Sequence, residues 1–368
     1  MTAISIRTAP KTWKRALSAA ALAFAMPSIA DDSIGGGGRY TVTELVGDQA
    51  GHGTVDPHLV NAWGIAFNPN GYVWVANADT GTSTLYDGNG AIVPLVVSIP
   101  APGGAGLGSP TGIVFNGDAS AFKVGEGGSQ AAAAFLFATE EGLIAGWAPA
   151  VAPTNATVAV DNSAAGAIYK GLASAADGNR RLLYATDFHN GKIDVFDAAF
   201  NPVSLPAGAF IDRKVPTGFA PFGIQAINGD IYVTYAKQDA NKEDDVPGKH
   251  LGYVSVFDAG GKLIRHLVSG QQLNAPWGMA MAPQGFGRFA GRLLIGNFGD
   301  GRINAFDAAN GDFKGTLRTA DGKALGIEGL WGLSFGNGLK GQSADALFFT
   351  AGPGDEAHGL YGRISAAP

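Results

Sequence analysis

The chain has 368 residues, of which 46% are hydrophobic and 56 are glycine; it contains no cysteine and carries a formal charge of −6 at pH 7. The lack of cysteine excludes disulfides, thiolate nucleophiles and thiolate-bound metals. An acidic chain with no basic stripe argues against a nucleic-acid partner, and abundant glycine without a triplet period means many tight turns rather than collagen or disorder.

Residues 1–30 read as a secretory signal peptide. Arg7, Lys11, Lys14 and Arg15 are basic, Ala16 to Met26 is an apolar run too short to cross a membrane, and Ser28-Ile29-Ala30 supplies small residues for cleavage after Ala30. The expected product is a periplasmic or extracellular monomer with no transmembrane segment and a net charge of about −10. Residues 31–39, with Gly35 to Gly38, read as a flexible linker. Residues 40–368 read as one repeat domain. Its first segment, Tyr40 to Val46, alternates as a strand does.

From there one phrase recurs. Asn61-Ala62-Trp63-Gly64-Ile65-Ala66 is followed by Ser109-Pro110-Thr111-Gly112-Ile113-Val114 and then by Tyr169-Lys170-Gly171-Leu172. The later copies are Ala220-Pro221-Phe222-Gly223-Ile224, Ala275-Pro276-Trp277-Gly278-Met279 and Gly329-Leu330-Trp331-Gly332-Leu333. Their glycines are separated by 48, 59, 52, 55 and 54 residues. Repeats of this length that hold several short strands mean a propeller or solenoid.

Each copy opens a unit. A short apolar run follows, such as Tyr72 to Ala76 or Leu182 to Thr186, and reads as a buried strand. A third strand is stated most fully by Gly191-Lys192-Ile193-Asp194-Val195-Phe196-Asp197, whose closing Asp suits the first position of a turn. An outer strand such as Lys262 to Leu267 completes the unit. The chain is therefore expected to be all-β: a six-bladed β-propeller of four-stranded antiparallel blades. The last unit has room for three strands, and the segment at 40–46 is expected to fill the gap and close the ring. Insertions fall at 119–134 and 236–250; in the second, Lys242-Glu243-Asp244-Asp245 reads as a solvated loop.

In such a ring the start of each inner strand and the loop between second and third strands share one face. Here those segments are polar in every blade, and their convergence on the channel makes them the candidate site. The candidate ligand-binding residues are Asp56, His58, Asn61, Asn77, Glu140, Asp187, His189, Lys237, Asn297, Asp300, Glu356 and His358. Carboxylates and amides suit Ca²⁺ or Mg²⁺, and mixed His and carboxylate suits Zn²⁺. His58, His189 and His358 are the candidate metal ligands. Trp63, Trp277 and Trp331 share one repeat position with Phe222; they read either as a stacking surface for a ligand or as packing near the axis. His52 and His266 read as structural. Phosphate-loop, nucleophile-elbow and His-Glu-x-x-His patterns are absent from the sequence.

Asn61 to Phe67, Asp187 to Asp197, Tyr232 to Gln238, Asn297 to Gly301 and Ala351 to Glu356 together resemble an uncharacterised family of exported bacterial propeller proteins. Some members of that family end in a Pro-Glu-Pro type sorting signal, and this chain ends at Ser365-Ala366-Ala367-Pro368 instead. The repeats are more distantly similar to the NHL type of propeller, a class that includes lyases, lactonases and pure binding modules. The resemblance implies the fold and export but no activity. Two functions follow as expectations. One is a binding module for a small molecule, glycan or protein on the polar face. The other is a divalent-metal-dependent hydrolase or lyase.

Overall fold

The computed structural model describes residues 38–104 and 106–367. The signal peptide and all but the last two linker residues lie outside the described residues. Among those described there is no α-helix, only four short 3₁₀ turns, and no helix long and apolar enough to cross a membrane.

The strands form six small sheets arranged as a propeller and one two-stranded ribbon, Lys123–Val124 with Ala131–Ala132, in the blade 2 insertion. Blade 1 is Ala62–Phe67, Val73–Asn77, Thr82–Tyr86 and Ile92–Ser98. Blade 2 is Pro110–Phe115, Phe135–Thr139, Leu143–Trp147 and Thr157–Asp161. Blade 3 contains Tyr169–Asp177, Arg180–Asp187 and Lys192–Phe196. Blade 4 is Phe219–Ile227, Asp230–Lys237, Tyr253–Phe257 and Leu263–Ser269. Blade 5 is Pro276–Met281, Leu293–Asn297, Ile303–Phe306 and Phe313–Thr316. Blade 6 takes Leu330–Phe335, Leu347–Ala351 and Leu360–Ala366 from the C-terminal end and Tyr40–Gly47 from the N-terminal end.

That last pairing closes the ring as expected. Tyr40–Gly47 runs antiparallel to Leu360–Ala366, from Tyr40 opposite Ala366 to Gly47 opposite Leu360. Blade 6 also gains a short parallel strand, Thr54–Val55, that the pattern did not announce. Blade 3 departs in the other direction. Its outer position holds only a bridge from Phe196 to Pro202 and one bond from Val203 N–H to the Val195 carbonyl (2.8 Å). Pro202 and Pro206 have no N–H to give a ladder.

Apolar side chains fill six wedges, one between each pair of neighbouring blades. A seventh cluster sits on the axis. The wedges meet there at the repeated glycine. Each inner strand carries a bulge at this point: in blade 1, Ala62 pairs with Asn77 but Ile65 with Val75. The same irregularity occurs in the other five inner strands. The bulge turns a backbone carbonyl toward the preceding blade. A methyl on Gly64 would lie 2.3 Å from the Thr111 carbonyl oxygen, on Gly223 2.1 Å from that of Trp277, and on Gly278 2.4 Å from that of Trp331. Gly332 closes the circle against the Trp63 carbonyl at 2.8 Å. None of these glycines has a positive φ. Glycine is required for close approach rather than for backbone conformation.

Threonines of the second strands secure the contact. Thr186, Thr234 and Thr350 accept from the amides of Gly171 (2.7 Å), Gly223 (2.8 Å) and Gly332 (2.9 Å). Thr186 then donates to the Phe222 carbonyl of the next blade at 2.8 Å, and Thr350 to that of Trp63.

Gly223→Ala is therefore expected to cost about 3 kcal/mol, because backbone rather than a side chain must yield. Gly128→Ala, where a methyl meets nothing within 4 Å, is expected to stay within about 0.5 kcal/mol. Urea unfolding midpoints of the two variants check this; equal midpoints would contradict it.

Candidate functional site

The residues before the ring glycines build the axial cluster, except that the Thr111 hydroxyl donates to the Tyr169 and Ala138 carbonyls. These are Trp63, Thr111, Lys170, Phe222, Trp277 and Trp331. Trp331 stacks on Trp63 with ring centroids 3.8 Å apart and on Phe298 at 4.0 Å. Trp277 meets Trp331 edge-on at 5.9 Å, and Phe222 does so at 5.8 Å. The aromatics thus plug the shaft, and a cavity of only about 30 Å³ remains among the glycines, Ile65, Ile113 and Leu333. The tryptophans are axial packing.

Lys170 stands in a position that tryptophan or phenylalanine fills in four other blades. Its side chain is 2% exposed. The ammonium lies 5.2 Å from the Trp63 ring centroid and 6.0 Å from that of Phe188. It donates to Glu140 and, at 3.2 Å, to Asp244. The Trp277 indole N–H donates to the Lys170 carbonyl at 3.2 Å. Burial by itself would favour loss of the proton, but Glu140 and Asp244 more than offset it and hold the amine above the usual lysine range.

Carboxyl groups outnumber this ammonium. Asp245 sits beside Asp244, and Glu356 and Asp79 reach in from blades 6 and 1. Burial first, then the Glu140 charge, pushes Glu356 up to about 8; Lys170 pulls it down, while Asp244 and Asp79 add to the rise. Asp245 is pushed up to about 7, again by burial first, with Lys170 opposing. One Asp245 oxygen, Oδ2, is buried without a hydrogen-bond partner, and so is the Trp63 indole N–H. Asn61 joins the rim to the axial packing: its amide donates to Asp79 (3.2 Å) and its oxygen accepts from the Trp331 indole (3.1 Å).

Of the twelve residues expected here, the structure brings Asn61, Glu140 and Glu356 together at the mouth. The others have local work. Asp56 accepts from Tyr86 Oη (2.9 Å) and from the His58 amide, and lies 3.0 Å from His58 Nδ1. Buried Asn77 donates to Thr82 and Thr84. Asp187 accepts from Asn190 and the Ile168 amide within its turn. Asn297 donates to Asp300 and the Gln272 carbonyl, and Asp300 accepts from the Arg302 amide. Lys237 is exposed. His358 Nδ1 lies 2.9 Å from Asp48 Oδ2, and the His189 ring packs near Gly166. His58, His189 and His358 therefore do not form one metal-holding group: His58 is tied to Asp56, His358 to Asp48, and His189 lies by Gly166. Among the described residues no three His, Asp or Glu side chains form a metal-holding group.

Sequence reasoning missed Lys170, Asp244 and Asp245 as site residues. Lys170 had a signal, a lysine at an aromatic repeat position. Asp244 and Asp245 correct half of an expectation: Lys242 and Glu243 are exposed as a solvated loop requires, but the half-exposed Asp244 reaches Lys170 and Asp245 Oδ2 is buried, in a loop held by Asp239 N–H to the Asp244 carbonyl at 2.8 Å and Val246 N–H to that of Lys237 at 2.8 Å. A groove of about 420 Å³ also opens where blade 3 lacks its outer strand, but its charged groups satisfy each other, Lys192 donating to Asp194 at 2.6 Å.

Lys170→Met keeps the stem and removes the charge, leaving Glu140 and Asp244 uncompensated. A loss of about 3 kcal/mol at pH 8 is expected, with part recovered by adding Glu140→Gln; chemical denaturation of both variants measures it. A second expectation concerns pH. Glu356 and Asp245 bind protons more tightly folded than unfolded, so their contribution is complete below about pH 4 and is lost as pH rises to about 8. The melting temperature should fall from pH 6 to pH 9, and Glu356→Gln should flatten that fall; an unchanged slope would contradict the assignment.

No protein-family model matches the chain. It is 35% identical over 326 residues to the uncharacterised protein R648 of Acanthamoeba polyphaga mimivirus, covering 86% of this chain and 77% of that one. It is 33% identical over 318 residues to the uncharacterised protein L690 of the same virus, covering 84% and 81%. Among solved structures it is similar to virginiamycin B lyase from Staphylococcus aureus, with TM-score 0.49, 13% identity and coverage of 89% and 99%. It is also similar to a chain of a nidogen/laminin complex, with TM-score 0.46, 16% identity and coverage of 75% and 84%. The structural likenesses concern fold alone. Both sequence relatives are viral, so the bacterial kinship expected from the sequence is met only at the level of the propeller. With this identity across most of both chains, the protein belongs to the same family as the mimivirus proteins R648 and L690.

Proposed function

We propose that this propeller is a binding module whose site is the acid-lined mouth above the tryptophan floor, and that its ligand is a small molecule bearing positive charge, an amine or guanidinium. One observation carries the reading: Glu140, Asp244, Asp245 and Glu356 share one ammonium, Lys170, and Asp79 adds its charge beside Glu356. Two of those carboxyls hold protons near neutral pH because they are buried, and neighbouring carboxylates add to the rise while Lys170 opposes it. A ligand cation supplies positive charge and takes the place of the protons, while the aromatic floor favours a cation over its ring faces. A glycan has no use for this charge excess.

The metal-dependent hydrolase or lyase reading draws on the same carboxylates, but its three histidines stand in separate loops, and no observation favours it. We also propose export, with release after Ala30, on the strength of the basic and apolar pattern of residues 1–30. The ligand is then a periplasmic or extracellular compound met by a monomer.

Titration calorimetry with spermidine at low salt and pH 8 tests the binding reading. Expected are saturable heat, proton release, and affinity that drops roughly tenfold at physiological salt or with Glu356→Gln. No heat with spermidine or arginine, or salt-independent binding of a neutral sugar, would overturn it.

A further inference from the structure

Blade 4 carries a second group of reactive side chains at its outer edge, apart from the mouth. Asp212 lies in the connection from blade 3 and its side chain is 1% exposed. Its Oδ1 accepts from the Lys214 amide at 2.9 Å. Its Oδ2 accepts from the Ser255 hydroxyl at 2.7 Å and lies 2.6 Å from His266 Nδ1. His266 Nε2 in turn lies 2.5 Å from Ser269 Oγ. Ser269 is exposed at the end of the outer strand.

The hydrogen positions follow from chemistry. Burial pushes the Asp212 carboxyl up, but the bonds from Lys214, Ser255 and His266 overcome this and hold it below the usual range, so it is ionised. A carboxylate only accepts, so His266 Nδ1 carries a proton. When the ring is neutral, it presents a lone pair at Nε2 to the Ser269 hydroxyl, 2.5 Å away. That is the hydrogen-bond order of an activated serine: carboxylate, imidazole, hydroxyl.

A bulge builds the alignment. Residues three apart in a regular strand face opposite sides. Here Val254 pairs with Val268 while Ser255 pairs with His266, so Leu267 is an extra residue. His266 therefore stands opposite Ser255, and Ser269 opposite Tyr253, on one face of the sheet. Satisfying the buried Asp212 needs only the Nδ1 side of the ring. Nothing in that requirement places a hydroxyl on Nε2.

We propose that Asp212, His266 and Ser269 are a nucleophilic triad that hydrolyses carboxylic esters at the edge of blade 4. Ser269 Oγ attacks the ester carbonyl carbon and His266 Nε2 takes its proton. The bond to the alkoxy oxygen breaks, and that oxygen leaves as an alcohol with the proton from Nε2. Water then attacks the acyl carbon, giving one proton through Nε2 to Ser269 Oγ, and the carboxylic acid departs. The reaction consumes one water and needs no oxidant or cofactor. The nucleophile is exposed at a strand end, which suits small acyl groups.

The test is covalent labelling of the purified full chain by a fluorophosphonate probe, with 4-nitrophenyl acetate as substrate. Expected is one label, mapped by peptide mass spectrometry to Ser269, and ester hydrolysis above that of Ser269→Ala. Ser269→Ala should keep the melting temperature, since the residue is exposed, and should lose the label. His266→Gln should slow labelling by at least about a hundredfold. No label on the folded chain, a label on another residue, or equal labelling of His266→Gln would overturn the proposal.

Discussion

The contact of each ring glycine with the backbone of the next blade, a carbonyl oxygen in all but Gly112, governs how the molecule is built. Six sheets that splay outward from one axis crowd where they meet. At that radius there is room for a Cα and a carbonyl oxygen but not for a methyl group between them. The bulge that supplies the carbonyl also redirects the residue before the glycine. Thr111 apart, that side chain joins the axial cluster. One steric requirement therefore closes the ring, sets the inter-blade hydrogen bonds of Thr186 and Thr350, and selects the side chains that meet in the middle.

The composition of that meeting point explains its chemistry. Three tryptophans and a phenylalanine fill most of the space, and stacked contacts as short as 3.8 Å leave the shaft nearly solid. A lysine in the remaining ring of apolar groups must be paired to stay charged. Glu140 comes from the second-to-third-strand loop of blade 2, and Asp244 from the insertion of blade 4. The insertion brings more acid than the lysine needs. Burial first, and then the neighbouring carboxylates, raise the proton affinity of Glu356 and Asp245.

The ring was legible in the sequence because steric exclusion leaves a residue-level trace: only glycine fits, so glycine recurs at nearly constant spacing. Closure by Tyr40 to Val46 followed from counting strands in the last unit. The site was less legible, because its position is shared but its chemistry is not. Tyr169-Lys170-Gly171 scored as one more copy of the repeat, and the lysine that makes it different was passed over. Asp244 and Asp245 looked like solvated loop residues, since nothing local to Lys242-Glu243-Asp244-Asp245 says that the loop folds back on the axis. The histidines misled for the opposite reason. His58 beside Asp56 and His358 in a polar loop have the composition of a metal site, but hydrogen bonds within their own segments or to Asp48 hold them apart. His266 was invisible as chemistry because its alignment with Ser269 depends on a one-residue bulge, which shifts register without changing the hydrophobic pattern.

One buried ammonium, Lys170, stands against the carboxyls of the mouth. Side-chain carboxyl ¹³C resonances, followed from pH 5 to pH 9 in protein labelled at Asp and Glu, test that balance most directly. Two carboxyls should titrate near 7 and 8, assigned to Asp245 and Glu356 by substitution, and both should move higher in Lys170→Met. A spectrum in which every carboxyl has titrated below pH 6 would contradict it.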